Sequence, residues 1–322
     1  MCDVPMLRGL MERIPARAWL ARWSVVRPSF RPASPFANKA SRDRVHEQYD
    51  RLVGRLPIDV ERRSVTTRYG TTHVLVAGPP EAPPLLTLHG LNFGGALNLR
   101  LLLPLTRQFR VYAPDTPGQA GRSVPRRLDW KQHEYAWWTI DLLDQLQLEK
   151  VPFVATSFGG AVLLDAATVA PDRIGRTVLI VPAGLTPVAT WRALTRLVWP
   201  GFLYRVTRDR AFLRQTVSAL TGQRDDEMLE YFDLLAHHVR PVLSAPPCVR
   251  AQDLARFESP VALLAARDDV FFPTDRLLED ARRSLPRLSF VAVVSGHHIP
   301  SSRECQRLNE LIYDFLTTPE YR

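Results

Sequence analysis

The chain has 322 residues, 46% of them apolar and 23% charged, which suits a globular protein with a sizeable core and excludes disorder or a fibre. Its formal charge of +9 comes from arginines spread along the whole length, with lysine only at Lys39, Lys131 and Lys150. Without a dense basic block, a zinc-finger spacing or an RNA-binding signature, that charge makes no case for a nucleic-acid partner.

Residues 1–50 read as an N-terminal arm. Segments 6–11 and 16–20 mix arginine with apolar residues at helical spacing, and Pro28 to Pro35 break any helix that follows. The arm is expected to pack over the protein's own surface rather than on a membrane. No stretch of the chain approaches the roughly 20 apolar residues that span a bilayer, so no stable membrane insertion is expected. Ala18-Trp19-Leu20-Ala21 is too short for a signal-peptide core, and a cytoplasmic location is the default. Cys2, Cys248 and Cys305 are odd in number and fit no ligand spacing, which excludes a disulfide framework and agrees with a reducing compartment.

From about residue 63 the pattern is regular. Segments 63–69 and 72–77 form a hairpin turning at Gly70. Short apolar strands are then expected at 85–88, 110–113, 153–156 and 177–181, with helices at 97–106, at 135–146 and from Ser157 to Ala170. Continuously apolar strands separated by helices indicate an α/β fold, a parallel sheet covered on both faces. The alternation resumes with strands at 260–265 and 288–294 and closes with a helix at 303–317. Between them, residues 190–240 carry only helical patterns. Trp191, Leu194, Leu197 and Val198 are spaced for one face, and Pro200-Gly201 predicts a break. The expected organisation is a core at 51–184 and 256–322 with a helical cap at 185–255.

The strongest chemical signal is Val154-Ala155-Thr156-Ser157-Phe158-Gly159-Gly160. A serine sits where an apolar strand turns sharply into a helix, with small residues two before and two after it. Such a turn strains the serine backbone and lifts its hydroxyl above the sheet, and bulk at either flank would clash with neighbouring elements. Ala155 takes the place of the usual first glycine. Upstream, Thr87-Leu88-His89-Gly90-Leu91-Asn92 ends a strand with a His-Gly pair, so that the N–H groups of Leu91 and Phe158 make an expected oxyanion hole. His89 itself reads as a structural hydrogen bonder.

After the strand near 261–266 comes Arg267-Asp268-Asp269-Val270-Phe271-Phe272-Pro273. Asp269, four before the proline, is the expected acid, with Asp268 the second choice and otherwise solvated or capping the turn. After the last strand, Gly296-His297-His298-Ile299-Pro300 offers two candidate bases; His298 is favoured by its His-x-Pro pattern over His297. The chain order Ser, Asp, His is the one expected for a fold with its nucleophile on such a turn, unlike other serine hydrolases. His237-His238 finds no Asp, Glu or Cys at ligand spacing, His133-Glu134 lacks a second histidine, and no phosphate-binding glycine loop exists, so neither metal nor cofactor is expected.

On these motifs residues 63–318 resemble the α/β-hydrolase superfamily. The loop Asp115-Thr116-Pro117-Gly118-Gln119-Ala120-Gly121-Arg122-Ser123 is similar to the Asp-x-x-Gly-x-Gly-x-Ser loop of its esterase-like branch. The turn Tyr69-Gly70-Thr71-Thr72-His73 and the run from Asp269 to Pro273 resemble bacterial carboxylesterase-like members. The resemblance implies a mostly parallel sheet of eight strands, a helical cap, no cofactor, and a small-molecule ester with water as substrates. On this reading Ser157 attacks an ester carbonyl, His298 takes its proton and Asp269 fixes the histidine. Two alternatives stay inside the fold: transfer of the acyl group to another nucleophile, and cleavage of a carbon–carbon bond. A third is a non-catalytic ligand-binding protein, supported by Ala155 and Ala266 standing where glycine is usual. Dehalogenase and epoxide hydrolase readings are disfavoured because those members carry an aspartate in place of Ser157. Oligomeric state is not legible.

Overall fold

Strands made of unbroken apolar runs can be satisfied only if both faces are covered, and the architecture follows from that demand. The computed structural model describes residues 34–242 and 244–319. The helical spacings at 6–11 and 16–20, and Cys2, lie outside them. In chain order the described elements are α1 (Lys39–Gly54), β1 (Glu61–Thr67), β2 (Gly70–Ala77), β3 (Pro84–Leu88), α2 (Gly94–Leu101), β4 (Arg110–Pro114), α3 (Glu134–Gln145), β5 (Val151–Thr156), α4 (Phe158–Val169) and β6 (Ile174–Ile180). Four helices follow: α5 (Thr190–Ala193), α6 (Trp199–Thr207), α7 (Arg210–Thr221) and α8 (Asp226–His238). The chain then returns through β7 (Val261–Ala266), α9 (Thr274–Ser284), β8 (Leu288–Val294) and α10 (Ser302–Thr317).

The strands form one eight-stranded sheet in the order β1-β2-β4-β3-β5-β6-β7-β8. β1 with β2 and β2 with β4 are antiparallel; every other pairing is parallel. Alternation along the central strands divides the interior in two. Phe153, Ala155, Leu179 and Leu263 point into a core shared with Trp138 and Leu142 of α3 and Val162 of α4. Val154, Val178, Ile180 and Leu264 point to the other face, against Leu97 of α2 and Ile312 and Phe315 of α10.

Residues 39–50, expected in the arm, form most of α1. That helix is capped by Asn38 and buries Val45, Tyr49, Leu52 and Val53. The helix expected at 97–106 instead starts at Gly94, ends at Leu101 and gives way to a 3₁₀ turn over Leu103–Arg107. Pro104 explains the change, since it has no N–H to donate and its ring clashes with the carbonyl four residues back.

The break expected at Pro200-Gly201 does not occur. Instead a π turn over Leu194–Val198 joins α5 to α6. Widening the backbone just before Pro200 relieves the same ring clash without stopping the helix. The face expected from Trp191, Leu194, Leu197 and Val198 is corrected too: Leu197 is buried, whereas the other three are exposed.

Candidate active site

The turn at Ser157 is built from its neighbours. β5 ends at Thr156 and α4 begins at Phe158, which leaves Ser157 with φ 50° and ψ −112°, a strained conformation for a side chain with a Cβ. It is held there by its own backbone. The Ser157 N–H donates to the Ile180 carbonyl, and its carbonyl accepts from the Gly160 and Ala183 N–H groups, each at 2.9 Å. A Cβ on Gly159 would lie 2.4 Å from the Leu88 carbonyl oxygen, and one on Gly160 would lie 2.6 Å from the Pro182 Cβ. Only glycines let α4 approach β3 and the end of β6 this closely. Ala155, by contrast, is wholly buried within β5, where its methyl is part of the core.

His298 lies on the loop after β8, with Nε2 2.9 Å from Ser157 Oγ and Nδ1 2.8 Å from Asp269 Oδ2. The other carboxylate oxygen, Oδ1, accepts from the Phe271 N–H at 2.7 Å and the Phe272 N–H at 3.1 Å. An ionised carboxylate can only accept, so the Nδ1–H must donate to it, and Nε2 is left as an acceptor facing the serine hydroxyl. Phe271 and Phe272 close over the imidazole, their ring centroids 4.7 and 5.9 Å from it. Asp269 and His298 are both buried.

Asp268 is exposed, and its N–H donates to the Gly296 carbonyl at 2.9 Å. His297 turns away from the serine toward the end of α7, so closely that a Cβ on Gly222 would fall 2.2 Å from its Nδ1. The structure therefore brings together Ser157, His298 and Asp269, and leaves His297 and Asp268 outside their hydrogen-bonded chain.

The turn from His89 to Phe93 runs beside the serine, and a Cβ on Gly90 would lie 3.7 Å from the Ser157 Cβ. Phe158 is the first residue of α4, so its N–H has no partner within the helix. Leu91 N–H, in the turn, has no backbone acceptor among the described residues. Both donors thus remain open beside Ser157. His89 is buried and bridges the turn: its Nδ1–H donates to the Gly90 carbonyl at 2.7 Å, and its Nε2 accepts from the Thr116 N–H at 2.9 Å. Burial lowers its pKa, which keeps it neutral and able to play both parts.

Other residues that fix this turn were not legible in sequence. Asn92 has φ 60°; its N–H donates to Gln119 Oε1 at 3.0 Å, and its carbonyl accepts from the Tyr231 hydroxyl of α8 at 2.5 Å. Asp115, wholly buried, accepts from His73 Nδ1 at 3.1 Å, from the Gly95 N–H at 2.6 Å and from the Arg122 N–H at 2.8 Å. Burial alone would raise the Asp115 pKa, but these donors hold it below the usual carboxylate range. The Asp115–Ser123 loop was visible as a motif; its partners outside the loop, His73 and Gly95, were not.

The helical insert between β6 and β7 is bonded to three of the four turns of the site, those carrying Asn92, Asp269 and His298. Besides Tyr231 to Asn92, the Ile299 N–H donates to the Leu220 carbonyl at 2.9 Å, and the Ala189 N–H donates to the Phe271 carbonyl at 2.7 Å. A separate groove of about 960 Å³ lies between α1, α2 and α8, lined by Arg51, Arg55, Arg100, Glu227 and Glu230 among others, and contains none of the three relay residues. Asp233, one turn before His237, lies 3.4 Å from its Nδ1, a partner the spacing did not suggest. Among the described residues no group of three His, Cys, Asp or Glu side chains could hold a metal ion, and no helix is long and apolar enough to cross a membrane.

A family model described as alpha/beta hydrolase fold matches residues 83–247. The carboxylesterase YbfK of Bacillus subtilis (strain 168) is 27% identical over 294 residues, which cover 87% of this chain and 96% of that protein. The crystal structure of naproxen esterase (carboxylesterase NP) from Bacillus subtilis is similar with a TM-score of 0.74 at 21% identity, covering 85% of this chain and 98% of that one. A putative hydrolase from the same organism gives a TM-score of 0.75 at 20% identity, covering 87% and 100%.

Proposed function

Because this chain belongs to the α/β-hydrolase fold family, we propose that it is a serine hydrolase cleaving small apolar carboxylic esters through an acyl-enzyme. The observation that carries the proposal is the hydrogen-bonded relay, 2.9 Å from Ser157 Oγ to His298 Nε2 and 2.8 Å from His298 Nδ1 to Asp269. It stands beside the open N–H groups of Phe158 and Leu91.

In the proposed reaction Ser157 Oγ attacks the ester carbonyl as its proton passes to His298 Nε2. The negative charge moves onto the carbonyl oxygen, where the two N–H groups receive it; each such donor is worth about 2.7–4 kcal/mol. The imidazolium then protonates the departing alkoxide, and the alcohol leaves. Water attacks the acyl-enzyme with His298 as base, releasing the acid and restoring the serine. Asp269, its carboxylate fixed by two backbone N–H groups, holds the histidine's tautomer throughout. The helices at 190–238 are proposed to act as the cap over this reaction. The free thiols Cys248 and Cys305 support work in a reducing compartment, the cytoplasm.

Labelling with a fluorophosphonate probe tests the reading, comparing wild type with Ser157→Ala. The expected result is strong labelling of the wild type and none of the variant, together with turnover of p-nitrophenyl esters. Folded wild type that neither labels nor turns over these esters would overturn it.

A further inference from the structure

We propose that the outward face of the helical run from residue 190 to 207 docks the protein on the surface of an anionic phospholipid bilayer. Ten large apolar side chains are conspicuously exposed among the described residues, and six of them are here: Trp191, Leu194, Val198, Trp199, Phe202 and Val206. Steps of three or four residues put Trp191, Leu194, Val198, Phe202 and Val206 on one side, with Trp199 next to Val198, while Ala193, Leu197, Pro200 and Tyr204 are buried on the other. The stripe is pre-formed. Trp199 stacks on Phe202 with centroids 5.9 Å apart, and Trp191 is 75% exposed. Monomeric soluble surfaces scatter such residues singly; a contiguous patch marks an interaction surface.

Charge identifies the occupant. Residues 190–207 contain no Asp or Glu. Arg192 and Arg196 flank the stripe, exposed and without an ion pair among the described residues. Exposed Arg208 and Arg214 continue the basic border. Trp and Phe beside arginines is the composition of helices that lie in the headgroup region, the rings entering the acyl boundary and the guanidinium groups meeting lipid phosphate. A second protein surface would find an apolar stripe with a basic border and, within residues 190–207, no carboxylate to offer back. Docking would also bring the membrane close to the relay, because Leu197 on the buried side packs with Leu220 and Val270, the residue after Asp269.

The test uses the full chain carrying Ser157→Ala, so that lipid stays intact and binding is read independently of any esterase activity. Co-sedimentation is measured with phosphatidylcholine vesicles with and without a minority of phosphatidylglycerol. The expected result is binding to the anionic vesicles, lost in a Trp199→Ser, Phe202→Ser, Val206→Ser triple variant. Arg192→Glu with Arg196→Glu should cost at least about twentyfold, near fivefold for each arginine removed. All these positions are on the surface, and an unchanged thermal melt verifies folding. No sedimentation of the folded chain overturns the proposal, as does binding unaffected by the triple variant. Sedimentation equilibrium showing a dimer that the triple variant dissolves would also overturn it, assigning the face to a second copy.

Discussion

Replacing Asp269 with asparagine changes one atom and is expected to disable the site through a tautomer. Asp269 Oδ1 accepts two backbone N–H groups, from Phe271 at 2.7 Å and Phe272 at 3.1 Å. An asparagine keeps both only by placing its oxygen there, which turns its NH₂ toward His298 Nδ1, 2.8 Å away in the native arrangement. Two donors cannot share that contact, so the imidazole moves its proton to Nε2. That nitrogen, 2.9 Å from Ser157 Oγ, then presents a proton where it should accept one. Losing the correct tautomer costs about 10⁴ in kcat, roughly 5.4 kcal/mol at 1.36 kcal/mol per decade. KM should change little, because the substrate-facing groups stay in place. The assay is steady-state hydrolysis of a p-nitrophenyl ester, with Tm recorded for each variant. Asp268→Asn, at an exposed position, is the control and should remain within about twofold of wild type. A folded Asp269→Asn enzyme retaining more than a tenth of the native kcat would refute the reasoning.

Two further outcomes follow from buried groups behind the site. Asp115 has a folded pKa below its unfolded value, so the native state binds fewer protons in acid. Its contribution to stability is complete above the ordinary carboxylate pKa and drains away as pH falls below that range through the depressed folded value. Asp115→Asn should therefore flatten the acid limb of a plot of Tm against pH, and an unchanged limb would count against the assignment. Tyr231→Phe removes the hydroxyl that donates to the Asn92 carbonyl. A lost hydrogen bond of about 1 kcal/mol predicts a fall of roughly fivefold in kcat and in the rate of fluorophosphonate labelling. Unaltered labelling would show that Tyr231 does not position the oxyanion turn.

Much of the sheet could be read because a buried parallel strand has a simple signature. The runs at 85–88 and 153–156 needed only apolarity and length, and the antiparallel hairpin needed only Gly70 and its β-branched flanks. The serine turn was visible because its constraint is local: a strand, a serine and small flanking residues. Choosing between His297 and His298 from sequence rested on one proline two residues on. The structure separates them physically, one against Ser157 and the other against Gly222 at the end of α7. What stayed hidden is what depends on distant partners. Tyr231 reaches a carbonyl 139 residues away, and nothing in its own segment announces that contact. The face expected from Trp191, Leu194, Leu197 and Val198 was misread for a related reason. Periodicity reports that a helix has an apolar face, but not which face the fold will cover.

The bonds from the insert to the turns carrying Asn92, Asp269 and His298 bear on how such an enzyme could be altered. On the proposed reading, Ala189, Leu220 and Tyr231 make the helices a jig that sets the spacing of the parts, in addition to their proposed role as a cap. A jig cannot be swapped as an independent module. A graft that supplied a new apolar lining but misplaced one of these three attachments would alter the register of acid, base or oxyanion turn while every reacting side chain remained in the sequence. Searches for altered specificity confined to residues lining the substrate would accordingly leave out the positions that hold the rate.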